Sequence, residues 1–185
     1  MNKAVFIDKD GTLIPDIPYN VNPDLITLTD TAIPALYQLQ QHQFSLILIS
    51  NQSGVARGFF AEKDLDAVNK KLTNLLSEAG IAINGFYYCP HFENGTVKEY
   101  SIACDCRKPA PGLILQAAND FSIDLSKSWM IGDILNDVEA GRRAGCKTIL
   151  INNGNETEWE INELRQPHYK VQNLFEAADI IANNA

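Results

Sequence analysis

Ala4-Val5-Phe6-Ile7-Asp8-Lys9-Asp10-Gly11-Thr12 is the stretch on which the reading of this chain turns. A short apolar run rich in strand-forming residues stops at two aspartates two positions apart, then a glycine. Continuous apolar runs bounded by turn residues suit strands buried on both faces, as in a parallel sheet. The pattern recurs at Ser45-Leu46-Ile47-Leu48-Ile49, Gly85-Phe86-Tyr87-Tyr88, Trp129-Met130-Ile131 and Thr148-Ile149-Leu150-Ile151. Between these runs the apolar spacing is helical. Leu65, Val68, Leu72, Leu75, Leu76 and Ala79 share a face, and Gly80 is placed to stop the helix. Further helices are expected near Asp30 to His42, over Leu113 to Phe121, over Asp137 to Ala144 before Gly145, and from an Asn173 cap through Ile181. Strand and helix alternate, so the expected architecture is α/β, a doubly wound, mostly parallel sheet with right-handed crossovers. One domain should span residues 1–185, with its site beyond the carboxyl ends of the strands.

The 185 residues are 45% hydrophobic and 21% charged, with a formal net charge of −8. Such an acidic chain repels polyanions, which argues against nonspecific binding to nucleic acid or anionic membranes. A phosphate ligand must therefore be drawn in by local cations or a metal. No apolar run approaches the roughly 20 residues of a membrane span, and the start, MNKAVFIDKDG, is not a signal peptide. A cytoplasmic monomer is the expectation. In a reducing compartment the four cysteines read as metal ligands or buried thiols.

Four polar clusters follow predicted strands. In the first, Asp8 and Asp10 start on one side of the strand and can offer two carboxyl groups to one small volume. A cation between them relieves their repulsion, and Mg²⁺ suits oxygen ligands. One carboxylate could then attack phosphorus while the other moves a proton. The plain alternative is a surface turn with a capping aspartate. A calcium loop is excluded, because Leu13 and Tyr19 stand where it needs Gly and Glu. In the second, Ser50-Asn51-Gln52-Ser53-Gly54 offers a small hydroxyl and amides to phosphoryl oxygens, although it is also ordinary turn composition. In the third, Arg107-Lys108-Pro109, a fixed ammonium could neutralise nucleophile and phosphoryl group alike; otherwise it is a solvated basic pair. In the fourth, Gly132-Asp133-Ile134-Leu135-Asn136-Asp137, Asp133 completes a carboxylate set for the metal. Asp137, one turn on, is equally a helix cap, an outer support or a ligand.

Cys89-Pro90-His91 is followed by 12 residues and then Cys104-Asp105-Cys106. Three thiolates and an imidazole make a closed tetrahedral set, which reads as structural Zn²⁺ rather than incidental cysteines. The insert leads into Arg107-Lys108, so zinc would pin the loop that aims these cations. Cys146, beside Gly145, lies outside the pattern and is expected to be buried.

The series DxDGT, S-N-Q, K-P and GDxxxD resembles the haloacid dehalogenase superfamily of phosphatases over residues from about 4 to 151. The resemblance implies a Rossmann-like fold with Asp8 as nucleophile, Asp10 as general acid/base, and Ser50 and Lys108 as catalytic partners. It implies Mg²⁺ held by Asp8, the backbone carbonyl of Asp10, and Asp133. Spacing leaves no room for a large cap domain. With SNQSGVARGFF, CPH and CDCRKP, the chain is similar to the heptose-1,7-bisphosphate 7-phosphatase group, whose substrate is a small phosphorylated sugar. The histidinol-phosphate phosphatases share the zinc pattern but usually have a shorter loop between CPH and CxC. The heptose likeness assigns sugar contacts to Asp16-Ile17-Pro18-Tyr19, and substrate contacts to Ser50, Asn51, Gln52, Ser53, Arg107 and Lys108. Arg57 is either a ligand for the distal phosphate or a surface residue at a helix start. Three departures stand out. Lys9 replaces a common Arg and should matter little, since it points away from the nucleophile. Ile134 replaces a polar or basic residue, and the segment from Asp16 to Tyr19 is less polar than expected. The rival readings are a noncatalytic receiver or zinc interaction module, and a DNA 3′-phosphatase. The receiver does not need Asp10, and the acidic balance argues against DNA.

Overall fold

The computed structural model describes residues 2–184. Six strands form one parallel sheet: β1 (Ala4–Asp8), β2 (Ser45–Asn51), β3 (Gly85–Cys89), β4 (Trp129–Gly132), β5 (Lys147–Ile151) and β6 (Tyr169–Val171). Their spatial order is β3-β2-β1-β4-β5-β6. The order reverses beside β1, whose neighbours are β2 and β4. This switch point opens a crevice at the carboxyl ends of those three strands.

Five helices cover the sheet: α1 (Ala32–Gln41), α2 (Leu65–Glu78), α3 (Gly112–Asp120), α4 (Leu135–Ala144) and α5 (Leu174–Asn183). Strand β1 shows why both faces must be covered. Val5 and Ile7 join the core under α1, α2 and α5, while Ala4 and Phe6 join the one under α3 and α4. All four side chains are fully buried. Each large one adds roughly 1.5–3 kcal/mol of apolar burial, so the strand end carrying Asp8 is held from two sides. The helix stops fall where glycine permits a left-handed turn, at Gly80 (φ 74°) and Gly145 (φ 90°). The side chain of Asn173 caps α5 by accepting from the Glu176 amide.

Two features differ from the sequence reading. Helix α4 begins at Leu135 rather than Asp137, because the Asp137 carboxylate accepts from the Ile134 amide at 3.3 Å and so belongs inside the first turn. The edge strand β6 was not anticipated. It has three residues, two of them exposed, and carries no apolar run to betray it. No described helix is long and apolar enough to cross a membrane.

Candidate active site

The strand ends at the switch point open onto a cavity of about 390 Å³, lined by Asp8, Asp10, Asp16 to Asn20, Asn51 to Gly54, Arg107, Lys108, Asp133, Ile134, Asn136 and Asn155. Lys108 is the electrostatic centre of its floor. Its ammonium donates to Asp8, to Asp137 Oδ1 at 2.5 Å and to the Ile49 carbonyl at 3.3 Å. The Lys108 peptide is itself clamped. Asn51 Oδ1 accepts from its amide at 3.0 Å, and Asn51 Nδ2 donates to its carbonyl at 3.1 Å. Asn51 thus spends both ends of its side chain on Lys108.

Burial pushes the Asp8 carboxyl well above its ordinary value; Lys108 opposes this, while Asp137, Asp133 and Asp10 add to it. Burial, with Asp137 beside it, pushes Asp133 up to about 6. Burial works against the Lys108 ammonium, but Asp137 and Asp8 outweigh that and raise it above its ordinary value. Carboxylate oxygens of Asp8, Asp133 and Asp137 lie within 4.8 Å of one another. One ammonium among three carboxylates leaves negative charge uncompensated, and the donors are hard oxygens, so the set fits Mg²⁺. Asp137 is spoken for by Lys108 and the Ile134 amide. Asp8 and Asp133 line the cavity and Asp137 does not, so these two are the side chains placed to face a cation there.

Asp10 sits in a separate network. Its carboxylate accepts from Lys9 Nζ at 2.6 Å, Gln52 Nε2 at 3.1 Å and Ser50 Oγ at 3.3 Å. Gln52 also donates to Ser50 Oγ at 2.6 Å. Lys9 was expected to matter little, and this expectation is corrected. The residue is 2% exposed, and its stem carries the ammonium back onto the Asp10 carboxylate.

Most residues singled out from the sequence meet at this cavity. Ser50, 1% exposed, lies beneath the wall and acts on Asp10. Arg57 is not part of the wall. It sits half-buried in a turn ahead of α2, with its guanidinium over the Phe92 ring at 3.9 Å from the centre. Arg107 reaches the same ring from the cavity side, at 5.2 Å. Three residues that the sequence did not flag also enter the site. Asn155 Nδ2 donates to Asp133 Oδ2 at 2.7 Å, Asn153 Nδ2 donates to the Gly11 carbonyl at 2.7 Å, and the Leu135 amide donates to Glu156 at 2.5 Å. These partners are distant in sequence and follow no period, so no sequence signal could have found them.

At the end of β3, Cys89, His91, Cys104 and Cys106 converge, with one donor atom from each inside a 4.8 Å sphere. His91 Nδ1 faces Cys89 Sγ at 3.7 Å and Cys106 Sγ at 3.3 Å. Three soft sulfurs and one ring nitrogen with no open position fit Zn²⁺. Without a cation, burial pushes the Cys89 thiol up to about 11, which a bound metal would reverse. The loop between the ligands clasps the turn ahead of α2. The Thr96 and Val97 amides donate to the Ala56 carbonyl, and the Tyr88 and Tyr100 hydroxyls both donate to Glu62. Cys146, outside the set, is buried at the end of α4.

The HAD-hydrolase-like family model matches residues 105–177. A D-glycero-β-D-manno-heptose-1,7-bisphosphate 7-phosphatase of Pasteurella multocida (strain Pm70) is 42% identical over 155 residues, covering 83% of this chain and 84% of that protein. The enzyme of the same name from Escherichia coli (strain K12) is 36% identical over 170 residues, covering 87% and 89%. The chain belongs to this family of haloacid dehalogenase-like phosphatases. It is a phosphoric monoester hydrolase. Among solved structures, the D,D-heptose 1,7-bisphosphate phosphatase of B. bronchiseptica, complexed with magnesium and phosphate, superposes with a TM-score of 0.85 at 28% identity, covering 99% of each chain.

Proposed function

We propose that the chain removes the 7-phosphate of D-glycero-D-manno-heptose 1,7-bisphosphate through an aspartyl-phosphate on Asp8. In this reading Asp8, the Asp10 carbonyl and Asp133 hold Mg²⁺, and residues 1–185 act as one catalytic domain. The observation that carries the proposal is the Lys108 ammonium fixed between Asp8 and Asp137 on the floor of a cavity that Asp10 and Asp133 also face.

When bound, Mg²⁺ would screen the phosphoryl oxygens and keep Asp8 ionised despite its burial. Asp8 Oδ attacks phosphorus, and the bond from phosphorus to the C7 oxygen breaks. Asp10 gives its proton to that leaving oxygen, so heptose 1-phosphate departs as an alcohol. Asp10 then takes a proton from water, which attacks the aspartyl-phosphate; inorganic phosphate leaves and Asp8 is restored. Ser50 and Gln52 aim Asp10 for both steps through their hydrogen bonds to its carboxylate. Lys108 offsets the charge that builds on Asp8 and the phosphoryl group.

The substrate assignment rests on the family and on the cavity rim. Asp16, Tyr19, Gln52 and Ser53 line the same cavity; in this reading Asp16 and Tyr19 meet sugar hydroxyls, and Ser53 and Gln52 meet phosphoryl oxygens. Arg107 offers the distal phosphate a cation on the cavity wall, and Arg57 shares the Phe92 ring with it. Zn²⁺ on Cys89, His91, Cys104 and Cys106 would brace the loop that delivers Arg107 and Lys108.

The test is phosphate release in the presence of Mg²⁺ from heptose 1,7-bisphosphate (both anomers) and from histidinol phosphate, side by side. Preference for a heptose bisphosphate is expected. Preference for histidinol phosphate, whose phosphatases share the Cys/His pattern, would overturn the substrate assignment and leave the chemistry standing.

A further inference from the structure

We propose that Asn155 is a positioning residue for the metal site, fixing the carboxylate plane of Asp133 from a strap that lies beyond the strands. The inference rests on the magnesium reading above, but not on the identity of the substrate.

Asp133 is bonded at both oxygens. Thr12 Oγ1 donates to Oδ1 at 3.2 Å, and Asn155 Nδ2 donates to Oδ2 at 2.7 Å. A carboxylate oxygen carries about two lone pairs, so each keeps one for a cation while the two donors set the plane. Thr12 is buried and belongs to the first motif, whereas Asn155 is exposed and reaches in from the loop after β5. An exposed amide holds a carboxylate only if its own backbone is held. That condition is met. Within four residues the loop is tied to three parts of the site: Asn153 to the Gly11 carbonyl, Asn155 to Asp133, and Glu156 to the amide at the start of α4. Gly154 (φ 96°) makes the turn between the first two ties.

Residue 11 is shaped for this contact as well. A Cβ on Gly11 would run into Asp133 Oδ2 and would stand 2.6 Å from Asn155 Nδ2. The glycine of the first motif therefore leaves room for an amide to approach the carboxylate, beyond allowing its own left-handed turn (φ 89°). Loss of a group that orients a metal ligand from behind typically costs about 10–100-fold in metal affinity or activity.

The experiment is Mg²⁺ titration by calorimetry on the metal-free enzyme, comparing wild type with Asn155→Ala, alongside the melting temperature of each metal-free protein. The expected result is a Mg²⁺ Kd raised about tenfold, with the metal-free melting temperature unchanged and kcat recovered at saturating Mg²⁺. A lowered melting temperature with an unchanged Mg²⁺ Kd would make Asn155 merely a loop anchor and overturn the proposal. Failure of the wild type itself to bind Mg²⁺ would remove the magnesium reading, and this inference with it. Because the titration needs no substrate, a wrong sugar assignment leaves its outcome untouched.

Discussion

On the floor of the cavity, Asp8, Ser50, Lys108, Asp133 and Asp137 are each at most 6% exposed, and each is placed by a strand end, a helix start or a clamped peptide. At the rim, Tyr19 and Phe59 are 48% and 59% exposed; they sit on loops and meet edge to face with ring centres 4.6 Å apart. The floor concentrates charge in a dry setting where it need not reorganise during reaction. The rim is built of contacts that can change without disturbing the sheet. In the proposed reaction, chemistry and selectivity are thus carried by different kinds of structure. Substitutions on the floor should act on turnover or stability by large factors, and those at the rim on KM by small ones.

The strongest way to break that contrast is at Asp8, the proposed nucleophile. Asp8→Asn should lower kcat on the order of 10³-fold or more while leaving the circular dichroism spectrum unchanged. A variant that keeps more than a few per cent of activity would refute a covalent role for Asp8. Next is Lys108→Met, which strands the buried carboxylates of Asp8 and Asp137 without their cation. Removing one partner of a buried ionic cluster costs about 3–5 kcal/mol, read by urea unfolding of the metal-free protein at neutral pH. The sign with pH follows from Lys108, which opposes the rise of the Asp8 carboxyl, so that its loss raises that carboxyl further in the folded variant. The folded state holds protons that the unfolded chain releases, so the deficit should shrink as pH falls towards 5 and grow as it rises. A deficit independent of pH would contradict the charge argument.

A third effect belongs to the floor alone. With Asp133 pushed up to about 6, protons compete for a ligand carboxylate. Below that pH the Mg²⁺ affinity should fall roughly tenfold per unit if one proton is displaced. Calorimetric titration across this range checks it, and a flat profile would remove Asp133 from the ligand set. Chelating the proposed zinc tests the brace between floor and rim. Hydrogen exchange should quicken over residues 92–103, above all at the Thr96 and Val97 amides that donate to the Ala56 carbonyl, and turnover should drop severalfold. Unchanged exchange would mean that the loop holds itself. The smallest effect is expected at the rim. Tyr19→Ala removes an aromatic pair worth about 0.5–1.5 kcal/mol, so KM should rise by a factor of about 2–10 with kcat nearly constant.

The same contrast governs what could be read from sequence. Asp8, Ser50 and Asp133 were legible because apolar strand runs announce where strands end, and the motif residues follow at once. The Cys/His set was legible from spacing alone. Asp137 was ambiguous for a physical reason: one carboxylate serves both the α4 cap and Lys108, and spacing cannot tell these from ligation. Lys9 was misjudged because strand alternation predicts where Cβ points, not where a four-carbon stem ends. Arg57 was left between a phosphate ligand and a surface residue, because the Phe92 ring that its guanidinium rests on lies 35 positions on. The Asn153 to Glu156 strap and β6 were invisible, since polar long-range contacts and a short exposed strand leave no periodic trace.

The account stands or falls on the covalent intermediate. Acid quench of the enzyme during turnover of heptose 1,7-bisphosphate with Mg²⁺, followed by peptide mass spectrometry, should find a phosphoryl group on the peptide containing Asp8 in the wild type and none in Asp8→Asn. A wild type that releases phosphate at full rate with no phosphoryl adduct, or with the adduct on another residue, would contradict it.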